Sequence, residues 1–255
     1  VSETVALTRA LVGAGPAQLV NAALRRVSER TLEDWLLRLA ESAEDETERL
    51  SVAQSHPAWI VRAMRQALVA DGRDAGELDA LLEADNAAPA VTLVARPGLS
   101  ERDVVLAGVD GGTAGRWTPT AVRMPSGDPA QVAGVSSGRV GVQDEGSQLV
   151  ALALAQVSVP PRQGSAVPER WLDLCAGPGG KAALLGAVAA ARGAHLVANE
   201  IAPHRAVLVE RSVGALPPGT VEVRVGDGTT VGEQEPAGYD RVLVDAPCTG
   251  LGALR

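Results

Sequence analysis

Four apolar runs, each ending in or just before an acidic residue, constrain the last third of the chain. They read RWLDL, AHLVANE, VEVRVGD and DRVLVDAP, and their acids are Asp173, Glu200, Asp227 and Asp245. A long Ala/Leu-rich segment separates the first run from the second, and another helical stretch separates the second from the third. Strands that alternate with helices form a parallel, doubly wound sheet. The sequence therefore predicts an α/β fold whose four acids meet at the edge where such sheets bind ligands.

A glycine-rich turn follows the first of these runs, in the stretch LDLCAGPGGK (Leu172–Lys181). A phosphate-binding loop needs GxxxxGK and then Ser or Thr. Here Cys175 stands at the first glycine position and Ala182 follows the lysine, so that interpretation fails twice. A dinucleotide fingerprint, GxGxxG, fails only at its last position, which is again Ala182. That second interpretation is weak and stays open.

S-adenosylmethionine is the third ligand considered for this turn. Its methionyl part is a zwitterion, so the site must offer close backbone approach and charges of both signs. Gly177, Gly179 and Gly180 lack a Cβ and allow that approach, while Asp173 and Lys181 supply the two signs. Lys181 is also the only lysine in a chain with 22 arginines, which marks it as a candidate ligand group.

The acids that end the second and third runs extend this hypothesis. Glu200 is placed to hold two ribose hydroxyls, as an acid does in nucleotide sites generally. Asp227, at the next strand end, is placed to meet the adenine amino group. Any one acid alone would more often be a solvated strand end. Four of them at consecutive strand ends after a glycine turn favour a nucleotide-like ligand.

The stretch DAPCTGLG after the fourth run bears on the reaction. Cys248 stands where enzymes that methylate exocyclic amines commonly have an aromatic residue. Carbon 5 of a pyrimidine is a poor nucleophile, so its methylation needs a thiolate of lowered pKa to add at carbon 6 first. Asp245 is then placed to hold the cytosine amino edge or N3. The alternative for Cys248 is an inert, buried cysteine, the commonest fate of a free thiol.

Composition limits the classes of partner. The net charge is −8 and no segment is a basic arm, so an RNA partner would have to be held by local arginine patches. The two cysteines have no CxxC spacing, which disfavours a disulfide framework or a zinc site. No apolar run approaches the roughly 20 residues of a membrane span. We therefore expect a cytoplasmic protein without a metal ion or a membrane segment.

The first half of the chain has a different sequence pattern, in which no regular alternation of strands and helices is visible. Residues 1–50 show helical apolar spacing, and Thr31 with Asp34 predicts a capped helix start. Pro57 suits the first turn of another helix, and a short helix is expected from Glu77 to Glu83. Further on, AVTLVARP and TAVRM predict strands and SERDVVLAGV a capped helix, which together indicate a small α+β unit.

The combination of LDLCAGPGGK and VLVDAPCTGLG resembles the RNA (cytosine-5)-methyltransferase family of the RsmB/Sun type. Three upstream stretches are also similar to segments of these enzymes: SHPAWIVR, EADNAAPAVTL and GVQDEGSQLVA. The stretch LVNAALRRV is similar to the end of the NusB-like RNA-binding domain of bacterial members. The resemblance implies three parts. These are the end of a NusB-like domain (1–50), linker helices with a small α+β subdomain (51–138), and the N-terminal half of a Rossmann-like methyltransferase core (139–255).

The resemblance also assigns residues to roles. It implies a cofactor loop for S-adenosyl-L-methionine made of Cys175, Ala176, Gly177, Pro178, Gly179, Gly180 and Lys181. It implies that Glu200 binds the ribose, that Asp227 lies on the adenine side, and that Asp245 lies beside both cofactor and base. In this family Cys248 would help to release the product, and the attacking cysteine lies in a later Thr-Cys-Ser motif.

The printed sequence has no Thr-Cys-Ser motif. We therefore expect these 255 residues alone to be inactive and C-terminally incomplete, with the fourth strand as an exposed edge. The resemblance implies RNA, and specifically small-subunit ribosomal RNA, as the substrate of the complete enzyme, which is expected to be a monomer. Arg25 and Arg26 are candidate RNA contacts. The alternative is a non-catalytic RNA-binding or assembly protein built on a methyltransferase scaffold.

Overall fold

The computed structural model describes residues 1–87, 90–160 and 168–247. The chain divides between residues 89 and 90 into two compact units. The first is helical and the second is α/β. The predicted boundaries at residues 50 and 138 do not coincide with this division, and the assignment of residues 1–50 to a NusB-like domain stays a prediction.

The described part of the helical unit consists of α-helices and one short 3₁₀ turn, Ala75–Glu77. The helices are α1 (Ser2–Leu11), α2 (Ala14–Ser28), α3 (Leu32–Glu41), α4 (Glu46–Ala53), α5 (Ala58–Ala70) and α6 (Leu78–Asn86). At the start of α3 the Thr31 side chain accepts a hydrogen bond from the Asp34 N–H, and Asp34 accepts one from the Thr31 N–H. The predicted cap is therefore confirmed.

The core of this unit is formed by α4, α5 and α6. Its buried residues are Leu50, Val61, Leu68, Leu78 and Leu82. His56, in the turn before α5, is buried and its Nε2 lies 2.8 Å from a carboxylate oxygen of Asp85 in α6. That contact fixes the start of α5 against α6. By contrast, Leu19 and Val27 of α2, apolar residues in the segment 1–50, are exposed.

The α/β unit begins with a small antiparallel sheet. Its strands are β1 (Val91–Ala95), β2 (Thr113–Ala114), β3 (Ala121–Met124) and β4 (Val140–Val142), in the order β2-β3-β1-β4. Helix α7 (Arg102–Ala107) covers one face around Leu93, Val105 and Val122. The two predicted strands are confirmed. The predicted cap of α7 is wrong, because Glu101 occupies the cap position and its side chain accepts no hydrogen bond there.

A second, parallel sheet follows, as the alternating pattern predicted. Its strands are β5 (Arg170–Asp173), β6 (His195–Glu200), β7 (Val221–Val225) and β8 (Arg241–Leu243), in the order β7-β6-β5-β8. The helices are α8 (Glu145–Gln156), α9 (Gly180–Arg192), α10 (Pro203–Val213) and α11 (Val231–Gln234). The chain runs outward from β5 to β7 and then returns to place β8 on the other side of β5. The carboxyl ends of β5 and β8 therefore form a topological switch point.

Trp171 of β5 is fully buried at the centre of the main core. Leu184 and Leu185 of α9, Leu196 of β6 and Val209 of α10 pack in the same cluster. Burial of an aromatic and four large aliphatic side chains contributes about 1.5–3 kcal/mol each. This packing holds the carboxyl end of β5 in a fixed position between β6 and β8.

β8 pairs only with β5 within the described residues, and Val242 in β8 is exposed. Over the same described ranges, no helix combines the length and apolar character that crossing a bilayer requires.

Candidate active site

The four predicted acids lie at the carboxyl edge of the parallel sheet. Asp173 ends β5 and Glu200 ends β6, while Asp227 and Asp245 each follow their strand by two residues. Because the strands are parallel, their carboxyl ends meet at one edge. The prediction that these acids share one edge is confirmed.

Two cavities open at this edge, one on either side of Cys175. The first, here called the charged cavity, has a volume of about 240 Å³ and is lined by Gln143, Ser147, Asp173, Lys181 and Asp245, among others. The second, the apolar cavity, has a volume of about 280 Å³ and is lined by residues including Glu200, Ile201, Asp227, Val244 and Pro247. Together they offer a polar end and an apolar end to one elongated ligand.

The glycine turn is held by backbone hydrogen bonds. The Ala176 N–H donates to the Asn199 carbonyl at the end of β6, at 2.8 Å, and the Gly179 N–H donates to the Ala176 carbonyl at 2.7 Å. Helix α9 begins at Gly180, directly after the turn. The first turn of α9 therefore faces the charged cavity, to which Gly180 and Lys181 both contribute.

The three glycines of the turn serve different purposes. A Cβ on Gly179, whose φ is +109°, would lie 2.6 Å from the Ser212 Cβ on α10. A Cβ on Gly177 would lie 2.3 Å from Glu200 Oε2. A Cβ on Gly180 would meet no atom closer than 3.8 Å, at the Gln143 side chain. Gly179 lines neither cavity, and its missing Cβ allows α9 and α10 to pack closely.

Glu200 is buried and holds the glycine turn in place through a hydrogen bond to its backbone. Its Oε2 accepts from the Gly177 N–H at 3.0 Å and its Oε1 from the Ala202 N–H at 3.0 Å. Arg205 of α10 lies 3.7 Å from Glu200 Oε2 and also donates to the Gly177 carbonyl. Each carboxylate oxygen has two lone pairs, so each retains one acceptor position for a ligand.

Asp173 is almost completely buried, and neither of its carboxylate oxygens has a hydrogen-bond partner among the described residues. Burial raises the pKa of Asp173 to about 7, the nearby Lys181 opposes that shift, and Asp245 adds to it. A buried carboxyl group without a partner is unfavourable by itself. Its position on the wall of the charged cavity makes it an acceptor for a cationic group of a ligand.

Lys181 joins two elements across the charged cavity. Its Nζ lies 2.7 Å from Asp245 Oδ2, beyond β8, and 3.2 Å from the Ser147 Oγ in the first turn of α8. The Lys181 side chain is 20% exposed and that of Asp245 is 55% exposed. The ammonium group is therefore accessible from the cavity while its position is fixed by the two oxygens.

Sequence reasoning missed several polar residues of the site, Gln143, Asn199 and Arg205 among them. Gln143 lines the charged cavity, and both polar atoms of its side chain are buried without a partner among the described residues. The Asn199 Nδ2 donates to the carbonyls of Leu174 and Gly226, and its Oδ1 is likewise buried and unpartnered. Arg205 supports the turn from α10. No local pattern marks these residues, because each reaches the site from a different element.

Asp227 lies at the rim of the apolar cavity. One of its carboxylate oxygens accepts from the Thr229 Oγ1 and from the Thr229 N–H, at 2.7 Å and 2.9 Å. Both bonds lower the pKa of Asp227, and the bond from the Thr229 hydroxyl has the larger effect. Ile201 and Val244 of the same cavity are 63% and 59% exposed, so the cavity offers apolar surface beside an ionised acid.

Cys175 lines both cavities. Cys175 is partly buried, and burial, reinforced by the charges of Asp173, Glu200 and Asp245, raises its pKa. That environment opposes formation of a thiolate. Cys248 lies outside the described residues. Within the described ranges, no group of three or more His, Cys, Asp or Glu side chains is arranged to hold a metal ion.

Comparison with known sequences identifies a family. Residues 164–255 match the sequence model of 16S rRNA methyltransferase RsmB/F. A protein of Mycobacterium tuberculosis named putative methyltransferase Rv1407 is 46% identical over 240 residues, which cover 94% of this chain and 50% of that protein. A Bacillus subtilis protein named probable ribosomal RNA small subunit methyltransferase B is 28% identical, over 100% of this chain and 54% of that protein. The chain spans about half the length of these curated relatives.

Solved structures show the same fold. The crystal structure of PH0851 superposes with a TM-score of 0.75 at 18% identity, over 98% of this chain and 53% of that one. A methyltransferase homologue from Pyrococcus horikoshii gives a TM-score of 0.52 at 22% identity, over 75% of this chain and 65% of that one. The predicted α/β, Rossmann-like methyltransferase fold is confirmed. The sequence matches confirm the resemblance to the RsmB/Sun type and place residues 164–255 in the RsmB/F family of methyltransferases.

Proposed function

We propose that this chain binds S-adenosyl-L-methionine at the carboxyl edge of its parallel sheet, as part of an enzyme that methylates carbon 5 of cytosine in RNA. The observation that carries this proposal is the unpartnered, buried carboxyl group of Asp173, which faces the Lys181–Asp245 pair in a cavity at the switch point. Such an arrangement suits a ligand that carries both signs of charge.

The chemistry of the two cavities fits the cofactor. Asp173 would accept from the methionyl amino group, which supplies the cation that the buried carboxyl group lacks. Glu200 would hold the ribose hydroxyls with the lone pairs that its backbone contacts leave free. The apolar cavity would take the adenine ring, with Asp227 at its rim. Each element of the ligand thus meets a side chain of matching character.

The bound cofactor would supply an electrophilic methyl group on a sulfonium. Asp245 follows β8 at the mouth of the charged cavity, where it would hold the amino edge or N3 of the cytosine. The Lys181 Nζ, 2.7 Å from Asp245 Oδ2, would hold that carboxylate group in position. Cys175 does not suit the thiolate addition that carbon 5 chemistry requires, since its pKa is raised. The role of Cys248 in product release stays a prediction from the resemblance.

The proposal of an RNA substrate, and of small-subunit ribosomal RNA in particular, rests on the family match and on the names of the relatives. The target base would have to leave its stack to reach the cavity, as base-modifying enzymes require. Arg25 and Arg26, exposed in the last turn of α2, are candidate RNA contacts. A cytoplasmic location, a monomeric state and a NusB-like origin of residues 1–50 remain predictions from the sequence.

Calorimetric titration tests the cofactor site. We expect S-adenosylmethionine to bind the 255-residue chain and NAD to give no heat. Glu200→Gln should weaken binding about tenfold or more, because the amide nitrogen cannot accept from the turn. The matched control is Glu210→Gln, an exposed position on α10, which should leave the affinity unchanged. Binding of NAD in preference to the sulfonium ligand would refute the cofactor assignment.

A cellular experiment tests the reaction. Deletion of the gene in the source organism should remove one 5-methylcytosine from small-subunit ribosomal RNA, as measured by mass spectrometry of its nucleosides. The wild-type gene should restore that nucleoside, and a gene encoding Asp245→Asn should not. Unchanged nucleoside content after deletion, with cofactor binding intact, would favour the non-catalytic RNA-binding alternative.

A further inference from the structure

A second groove in the α/β unit adjoins the charged cavity and is not used by the proposed cofactor site. It has a volume of about 550 Å³ and lies between the segment 135–142 and the C-terminal half of α10. Its lining includes Arg96, Ser136, Ser137, Arg211 and Ser212, and we call it the arginine groove. It shares Val142, Pro178 and Gly180 with the charged cavity, so a ligand can extend from one to the other.

Arg96 is the unusual residue of this groove. It is only 5% exposed, and its Nη1 donates to the carbonyls of Gly138 and Ser212 at 2.6 Å and 2.7 Å. Its Nε is buried without a partner, and no carboxylate pairs with this guanidinium among the described residues. Burial lowers the pKa of Arg96, and a buried cation without a counter-charge is strongly unfavourable.

The remaining lining has the character of an anion site. No acidic residue lines the described part of the groove, although the whole chain has a net charge of −8. The exposed side chain of Arg211 has no hydrogen bond or ion pair among the described residues. Arg139 stands next to the lining, with its Nε 3.2 Å from the Ser137 Oγ. The guanidinium groups of Arg96 and Arg211 and the Ser136 hydroxyl therefore line one concave surface of an otherwise acidic protein, with Arg139 beside it.

We propose that the arginine groove binds a phosphodiester of the acceptor RNA, next to the nucleotide that enters the charged cavity. This inference rests on the proposed function, since it takes RNA as the substrate. Guanidinium groups bind phosphate oxygens in a forked geometry, and the Ser136 hydroxyl of the lining adds a further donor. A bound phosphate would supply Arg96 with an anionic partner, which none of the described residues provides. The groove also supplies the local arginine patch that binding of RNA by an acidic chain requires.

The test compares two charge-neutralising variants of the full 255-residue chain. Arg211→Gln removes a guanidinium from the groove, and Arg123→Gln removes one from an exposed position on β3, outside the groove. Binding of a fluorescent, cytosine-containing RNA stem-loop is measured over a series of salt concentrations. We expect Arg211→Gln to weaken binding about threefold to tenfold and to reduce the salt slope by about one phosphate contact. Arg123→Gln should retain the wild-type slope.

A third variant examines Arg96 without deleting its charge. Arg96→Lys keeps a cation but loses the fork, so it should also weaken RNA binding while the protein melts as a folded chain. The affinity for S-adenosylmethionine, measured in parallel, should not change in Arg211→Gln. Inorganic phosphate, added at the salt strength of the assay, should compete with RNA for the wild type more strongly than for Arg211→Gln.

The outcomes separate the two proposals. Equal slopes for wild type, Arg211→Gln and Arg123→Gln would overturn the groove assignment even if the cofactor binds. A loss of cofactor affinity in Arg211→Gln would also overturn it, because the groove would then hold the carboxylate of the cofactor. Failure of the wild type to bind S-adenosylmethionine would contradict the proposed function. The difference in salt slope between wild type and Arg211→Gln would still test whether the arginine groove binds RNA.

Discussion

The Nζ of Lys181 lies 2.7 Å from the Oδ2 of Asp245, and this ion pair joins the turn after β5 to the segment after β8. The two strands are neighbours in the sheet although β6 and β7 separate them along the chain. The only lysine of the protein therefore marks the switch point itself. Its charge acts on Asp245 and also on Asp173, whose pKa it lowers against the effect of burial.

Replacement of that lysine should have a measurable effect on ligand binding. Lys181→Met removes the ammonium group but retains most of the side-chain volume, so we expect the affinity for S-adenosylmethionine to fall about tenfold. Loss of the cation should also raise the pKa of Asp173 further, because its opposing charge is gone. Titration calorimetry of wild type and variant measures the first effect. An unchanged affinity would show that Lys181 only orders the segment after β8.

The single lysine also permits a direct observation of the site. Reductive methylation with isotope-labelled methyl groups would mark Lys181 and the amino terminus only, and it retains the positive charge of both. We expect the Lys181 resonance to shift when S-adenosylmethionine is added and the amino-terminal resonance to stay unchanged, which serves as the internal control. A shift of neither resonance at saturating ligand would place the ligand away from the charged cavity.

Asp173 should make stability depend on pH. Its pKa is raised from 3.8 to about 7, so in that interval the folded protein binds a proton that the unfolded chain releases. Its contribution to stability is therefore fullest below the ordinary pKa and is lost as the pH rises to about 7. Asp173→Asn removes this dependence. As the pH rises from 3.8 to about 7, the free energy of unfolding of the variant should therefore increase by about 3 to 4 kcal/mol relative to that of the wild type, at about 1.4 kcal/mol per pKa unit.

Urea denaturation at several pH values, followed by tryptophan fluorescence, measures that difference. Asp110→Asn, at an exposed position of the same α/β unit, is the control and should follow the wild-type pH dependence. Parallel stability curves for wild type and Asp173→Asn would contradict the raised pKa. The Asn variant should also bind S-adenosylmethionine more weakly, since it lacks the carboxylate for the amino group.

Two adjacent glycines should respond in opposite ways to the same substitution. Gly179→Ala forces a Cβ to within 2.6 Å of the Ser212 Cβ at a φ of +109°, so we expect a loss of about 2 to 4 kcal/mol. Gly180→Ala has free space and lies in the first turn of α9, so its stability should be unchanged or slightly raised. Its added methyl group projects toward Gln143 across the charged cavity and should weaken cofactor binding. Thermal melts of both variants test the packing role of Gly179, and calorimetry tests the ligand role of Gly180. Equal melting temperatures would contradict the packing role.

Much of the sheet was accessible to sequence reasoning because its signals are local. A strand of a parallel sheet ends where its apolar run ends, so the order of residues alone was enough to place Asp173, Glu200 and Asp227 at one edge. The glycine turn between β5 and α9 was likewise visible as a contiguous stretch. These features depend on neighbouring residues, and periodicity records them directly.

The features that sequence reasoning missed depend on contacts between distant segments. Ser147 reaches Lys181 from α8, and Arg96 reaches the Ser212 carbonyl from the end of β1. Gly179 was interpreted as a ligand-facing residue, because its contact with α10 cannot be read from the turn itself. Each of these relations is set by how the small antiparallel sheet and the helices pack on the parallel sheet. A single sequence carries no local signal of that packing.

Asn199 provides a last test, since a one-atom change reverses its hydrogen bonding. Its Nδ2 donates to the carbonyls of Leu174 and Gly226, which ties the end of β5 to the end of β7. Asn199→Asp would place an acceptor against both carbonyls in a buried position, so the pKa of the new carboxyl group should be raised above its ordinary value of about 3.9. The folded variant would then bind a proton that the unfolded chain releases, and its stability relative to wild type should fall as the pH rises from about 5 to about 8.

For Asn199→Asp we expect a loss of about 2 to 4 kcal/mol in the free energy of unfolding near neutral pH, because two buried carbonyls lose their donor and a charge enters the core. Gln131→Glu makes the same amide-to-acid change at an exposed position of this unit and should be nearly neutral. Denaturation curves at the two pH values decide the matter, and an equal, small effect of both substitutions would show that Asn199 does not hold the carboxyl ends of the strands together.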